Sequence, residues 1–186
     1  MMIHDQALVD RLSALPVSEF AGEVFRATRP SADPLAPSVS GGRWSPPPVG
    51  DTGVSALYTS LDSDGATAEV ASFLADLTPP PRERLIKVSR LGVAFRKSLR
   101  LTRAGLPILG VDMARFGERD YSRTQQIGAA LAFLGLDGLI APSARWPCDN
   151  LVIFSDNHSI ADRLEVIDHR EVGWRAWATS KGMILA

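Results

Sequence analysis

The chain has 186 residues, 45% apolar and 22% charged, which fits one globular domain with its own core and excludes global disorder. Its 20 basic and 21 acidic side chains leave a net charge of −1, too little to drive binding to nucleic acid or an acidic membrane. A single cysteine, Cys148, excludes an intrachain disulfide, and with it the three histidines His4, His158 and His169 give no zinc-like spacing.

Residues 1–16 read as a short amphipathic helix, with Leu8, Leu12 and Leu15 at helical spacing and no signal-peptide pattern. A strand is predicted at Glu23–Thr28. Residues 30–53 follow as a long irregular segment. Pro30, Pro34, Pro37, Pro46, Pro47 and Pro48, with Gly41, Gly42, Gly50 and Gly53, block both helix and central strand there. Loops this long in a compact domain are binding elements or linkers, and too few residues precede this one to make a domain.

Val54–Ser60 reads as a strand. Asp62, Ser63 or Asp64 caps a helix running to about Leu77, which the Pro79-Pro80-Pro81 triplet stops. Leu85, Ile86 and Val88 form the next strand, and Val93–Phe95 continue it or pair with it. Residues 97–120 carry no clear pattern, and the basic run Arg96, Lys97, Arg100 and Arg103 reads as a solvated face. Tyr121–Leu134 reads as a helix ended by Gly135. Strands at Gly138–Ala141 and Leu151–Ser155 flank a turn-rich segment, and one more strand is expected near Leu164–Ile167. The sum is a single α+β domain with a mixed β core and flanking helices. No stretch of eighteen apolar residues exists, so no membrane span is expected, and a cytoplasmic location is.

Several polar residues have both a structural and a chemical reading. Two glycines before Arg43 let the backbone approach a ligand, so that the guanidinium can fork onto a phosphate or carboxylate. The alternative is packing on Trp44 or a surface ion pair. Glu69 lies among small helical residues, which suits close approach of a ligand as well as an exposed helical position. Tyr58 either buries its ring, with a partner for its hydroxyl, or offers the ring to a flat ligand. Ser143 sits just after an apolar strand, where sites are often built, with no sequence neighbour to activate it. The patterns G-x-S-x-G, G-x-G-x-x-G and H-E-x-x-H are all absent. Cys148, Trp146, Trp174 and Trp177 read as structural. Arginine supplies 17 of the 20 basic residues. That excess has two sources to weigh: a genome rich in G and C, and arginine used for bidentate anion contact.

In order, the chain carries Phe25-Arg26, Gly41-Gly42-Arg43-Trp44, Leu57-Tyr58-Thr59-Ser60, Ala68-Glu69, Asp137-Gly138-Leu139-Ile140, Pro142-Ser143-Ala144-Arg145 and Asn150-Leu151-Val152-Ile153-Phe154. This series, from about residue 23 to 156, resembles the RES domain family, named for its Arg, Glu and Ser residues. One departure is Ser45, in the segment 44–53, where an asparagine is common.

The resemblance implies an ADP-ribosyltransferase-like fold and the role of toxin in a type II toxin–antitoxin pair. It implies NAD⁺ as substrate rather than a bound cofactor. Inorganic phosphate is the expected co-substrate of a phosphorolysis, with glycohydrolase and ADP-ribosyltransferase activity as alternatives. A non-catalytic nucleotide-binding or interaction module is the reading from a different class. The implied partner is an Xre-like helix-turn-helix antitoxin, associated with the toxin and blocking its site; any DNA binding belongs to that partner. The family's functional residues map onto Arg26, Arg43, Tyr58, Glu69 and Ser143: Arg43, Glu69 and Ser143 as catalytic, and Arg26, Arg43, Tyr58 and Ser143 as substrate-binding. No metal is implied.

Overall fold

The computed structural model describes residues 4–38, 40–47 and 53–184. Pro48 and Gly50 of the predicted irregular segment lie outside the described residues, as do Met1–Ile3 of the predicted N-terminal helix. Helix α1 (Gln6–Ser13) starts where the Asp5 side chain accepts the Ala7 and Leu8 amides, and it buries Leu8 and Leu12 as their spacing predicts. Leu15 lies beyond its end.

Strand β1 spans Val17–Thr28, starting six residues earlier than predicted. Strand β2 is Ala56–Ser60, followed by helix α2 (Ser63–Ala75), for which Asp62 is the cap. Helix α2 ends before the proline triplet, with Asp76 at its C-cap. The two apolar runs after it are one continuous strand, β3 (Leu85–Arg100), long enough to use both of its edges. Between it and helix α3 (Ser122–Phe133) the chain makes one 3₁₀ turn at Pro107–Leu109 and otherwise irregular structure. Strands β4 (Gly138–Pro142) and β5 (Asp149–Phe154) come next. The tail strand β6 runs from Leu164 to Gly173, well past its predicted end, and leads into a helix the sequence reading missed, α4 (Trp174–Ser180).

The sheet order is β1-β2-β5-β4-β3-β6, and β1 also pairs with β3. Five strands therefore close on themselves, with β6 added along the Leu85–Val93 half of β3. All pairings are antiparallel except β3 with β4. Val24, Leu57, Leu91, Phe95, Ile140, Leu151 and Ile153, drawn from all five closing strands, form one core cluster. A second core packs α1 and α3 on the sheet, and a third packs α2 and α4 on it through Trp174 and Trp177. This is the mixed β core with flanking helices that the sequence predicts.

Closure is weakest between β1 and β2, which share the single pair Phe25↔Ser60, whereas β1 pairs with β3 from Val17 to Thr28. Beyond that pair the two strands diverge, and the functional side chains gather there.

Candidate active site

Between β1, β2 and α2 lies a cavity of about 470 Å³, a size typical of small-ligand sites. Arg26, Arg43, Tyr58 and Glu69 all line it, brought together from four separate segments.

The Gly41–Ser45 turn presents Arg43. The Gly42 amide bonds the Ser45 carbonyl at 2.8 Å, and Gly41 adopts φ 73°, which favours glycine. A Cβ on Gly42 would fall 2.6 Å from the Tyr58 ring and hydroxyl, so the second glycine is needed for close approach. The Tyr58 hydroxyl accepts the Trp44 amide at 3.0 Å and shares a 2.8 Å hydrogen bond with the Ser45 hydroxyl. Burial raises the Tyr58 pKa to about 12, so the phenol stays protonated. Ser45 is fully buried, and this bond gives its hydroxyl a partner.

Trp44 goes into the core and Arg43 goes the other way, into the cavity. The Arg43 guanidinium lies 4.5 Å from the Tyr121 ring centroid and 4.7 Å from that of Phe116, and its Nη2 donates to the Glu118 carbonyl at 3.3 Å. Among the described residues it makes no ion pair with an acid. Burial lowers its pKa from the ordinary arginine value, partly offset by Tyr121 and the Glu69 charge. Of the alternatives weighed from sequence, a surface ion pair is absent among the described residues, and the rings over which the guanidinium lies are Phe116 and Tyr121 rather than Trp44. Arg26, on β1, donates through Nη1 to the carbonyls of Pro34 at 2.9 Å and Ala36 at 2.6 Å. It thereby ties the proline-rich loop over the cavity rim, and its pKa too is lowered by burial.

Glu69 is only part-exposed because Gly65, Ala66 and Ala68 let α2 settle closely on the sheet. Its Oε1 accepts two hydrogen bonds of 2.8 Å, from the Ser143 hydroxyl and the Asn150 amide. No hydrogen bond from the described residues reaches Oε2. Ser143 is fully buried; its Oγ also accepts the amides of Arg145 at 3.0 Å and Trp146 at 3.2 Å. Ser143, expected as both a catalytic and a substrate-binding residue, does not line the cavity, and its one proton goes to Glu69, which fixes that carboxylate oxygen.

Sequence reasoning assigned no role to Asn150 or Tyr121. Asn150 heads an apolar strand, a position that marks it only once its partner is known. Tyr121 gave a helix start and nothing more, because the residue it touches is 78 positions away. The basic run at residues 96–103 is the solvated face expected: Arg96, Lys97, Arg100 and Arg103 are all exposed. Within it Arg100 pairs with Asp149, and Arg103 donates to the Ser143 carbonyl at 2.9 Å. Those two arginines brace the turn that carries Ser143. Cys148 is half-buried against Ser60, and burial raises its pKa, which disfavours the reactive thiolate. Among the described residues, no group of three or more His, Cys, Asp or Glu could hold a metal ion, and no helix is long and apolar enough to cross a membrane.

The RES domain profile matches residues 23–175. The chain belongs to the RES domain family. Among solved structures, a chain of the crystal structure of the M. tuberculosis MbcT-MbcA toxin-antitoxin complex superposes with a TM-score of 0.80. The two are 20% identical, and the match covers 96% of this chain and 98% of that one. The fold is thus shared across nearly the whole length of both chains. No curated protein matches this chain.

Proposed function

We propose that this RES protein is the toxin of a toxin–antitoxin pair and cleaves the bond between nicotinamide and ribose in NAD⁺, with inorganic phosphate as acceptor. The observation that carries the reading is the pairing, around one cavity, of a carboxylate fixed through one oxygen with two guanidinium groups that have no acid partner. Family membership and the fold shared with a toxin–antitoxin complex support the biological role.

The chemistry suits that residue set. As the C1′–N bond breaks, its electron pair returns to the nicotinamide nitrogen. The ring loses its positive charge and leaves neutral, so no general acid is required. Positive charge grows on the ribose as an oxocarbenium-like species. Glu69, held by Ser143 and Asn150, offsets that charge or binds a ribose hydroxyl through Oε2. Arg43 and Arg26 hold the pyrophosphate or the attacking phosphate, whose oxygen forms the new bond to C1′ and gives ADP-ribose-1″-phosphate. The Tyr58 phenol, neutral at physiological pH, shapes the turn bearing Arg43 and closes one wall. The partner in this reading is an Xre-like antitoxin that covers the cavity.

The test is incubation with NAD⁺, with and without phosphate, with products identified by mass spectrometry. Phosphate-dependent release of nicotinamide and ADP-ribose-1″-phosphate is expected. Phosphate-independent ADP-ribose, or label on a protein, would replace phosphorolysis by hydrolysis or protein modification. Glu69→Gln should lose on the order of 100-fold or more in turnover, the scale of one key transition-state contact. A folded variant with near wild-type turnover would remove Glu69 from this role.

A further inference from the structure

Arg43 is a part-buried cation that makes no ion pair among the described residues, and what packs against it is aromatic. The rings of Phe116 and Tyr121 sit 4.7 and 4.5 Å from the guanidinium, and the only protein acceptor among the described residues is the Glu118 carbonyl. Phe116 is buried, and Tyr121 lines the cavity. The difference from an acidic partner is chemical. A carboxylate would occupy the guanidinium fork and cancel its charge. A ring face attracts the cation through its quadrupole and leaves the in-plane N–H groups free. Arg119 shows the contrast: it lies 5.6 Å from the Phe73 ring but is also paired with Asp76.

The rings and the arginine turn are built as one unit by α3. The Tyr121 carbonyl accepts the Gln125 amide at 2.8 Å and the Thr124 hydroxyl at 3.0 Å, which fixes Tyr121 at the helix start. One turn on, the Gln125 side chain donates to the Gly42 carbonyl at 3.0 Å. Next along the same face, Gly128 packs so tightly on the turn that an added Cβ would lie 1.7 Å from the Trp44 carbonyl oxygen. Residues 121, 125 and 128 follow helical spacing, so a single helix face grips the Gly42–Trp44 backbone and the Arg43 side chain together.

We propose that Tyr121, with Phe116 beside it, is a positioning residue that seats Arg43 on ring faces rather than in an ion pair and aims its open N–H groups at the anionic part of the substrate. This rests on the NAD⁺ reading above for the identity of that substrate, and on geometry alone for the ring-held arginine.

The test compares Y121A, Y121F and R43A, and the double variant Y121A/R43A, in the full chain. Two readouts are used: steady-state NAD⁺ consumption, and stabilisation of the fold by added inorganic pyrophosphate. Y121A should lose about tenfold in kcat/KM, mostly through KM, the scale of one desolvated cation–ring contact. Y121F should recover most of that loss, because the ring rather than the hydroxyl faces Arg43. In the R43A background, Y121A should add almost nothing, since its effect runs through Arg43. The pyrophosphate-induced rise in Tm should fall in R43A and Y121A and return in Y121F. Full additivity of Y121A with R43A, a Y121F defect as large as that of Y121A, or an unchanged Y121A would each overturn the proposal. Ring-dependent pyrophosphate binding in a protein that leaves NAD⁺ intact would uphold the seat and reject the NAD⁺ reading. Absence of any Arg43-dependent pyrophosphate binding would overturn the seat itself. If Y121A fails to fold, F116L against F116A provides the same comparison from the other ring.

Discussion

Arg90 and Arg43 carry the same side chain in opposite settings. Arg90 lies on the β1–β3–β6 sheet and bonds Glu23 at 3.1 Å and Asp168 at 2.5 Å, which raises its pKa. Arg100, Arg115, Arg119 and Arg163 likewise have carboxylate partners. Arg43 and Arg26 have carbonyls, and Arg43 has aromatic rings, but neither makes an ion pair among the described residues, and burial lowers both pKa values despite the nearby charges of Glu69 and Asp33. A paired surface arginine is already satisfied in the free protein. A part-buried arginine without an ion pair retains an unmet attraction for an anion, and a ligand that supplies one gains that interaction. Lack of an ion pair alone does not mark function, since among the described residues exposed Arg11 and Arg103 also bond only carbonyls; Arg26 and Arg43 stand apart because they are part-buried and line the cavity as well.

The largest expected effect tests that division directly. R43A should lower NAD⁺ turnover about 100-fold. Its folding stability should change by only about 1 kcal/mol, because relief of the buried charge offsets the lost ring contacts. R90A should leave turnover near wild type. Steady-state assays and denaturant melts on both variants check this, and similar turnover losses would erase the distinction.

A middle-sized effect concerns the turn that carries Arg43. The Tyr58 pKa is raised from 10.0 to about 12, so the unfolded chain loses its phenol proton first as pH rises. The stabilisation is complete below pH 10.0 and is lost as pH climbs through about 12. Y58F should lose about 1–2 kcal/mol at neutral pH, because the Trp44 amide and the Ser45 hydroxyl lose their shared partner. It should also flatten the alkaline decline in stability over that window. An unchanged alkaline slope in Y58F would assign the decline to other groups.

The smallest effect is on stability at the surface. R90A should lower Tm only slightly, and added salt should narrow the gap from wild type, because exposed ion pairs are screened. A large loss of Tm in R90A would mean that the paired arginines hold the sheet as well as its surface charge.

Local chemistry was readable from the sequence where the signal was local. Asp62 as a helix cap, the breaking prolines, Gly135 at the end of α3 with φ 73°, and the apolar strands β4 and β5 all lie where nearest neighbours put them. Of the five expected site residues, Arg26, Arg43, Tyr58 and Glu69 line one cavity, whereas Ser143 lies behind Glu69 and outside that lining. Strand lengths were less legible. In β6 every residue from Glu165 to Glu171 is exposed, so no inward-facing period marks its extent, and pairing with β3 sets its length. Partnership was not legible at all. The sequence by itself determined that this is one α+β domain with near-zero net charge and two arginines in suggestive positions. Only the tertiary structure decided that those two make no ion pair among the described residues, that Ser143 bonds Glu69, and that Tyr121 meets Arg43. Each of those facts depends on groups tens of residues apart, which chain closure alone brings within bonding distance.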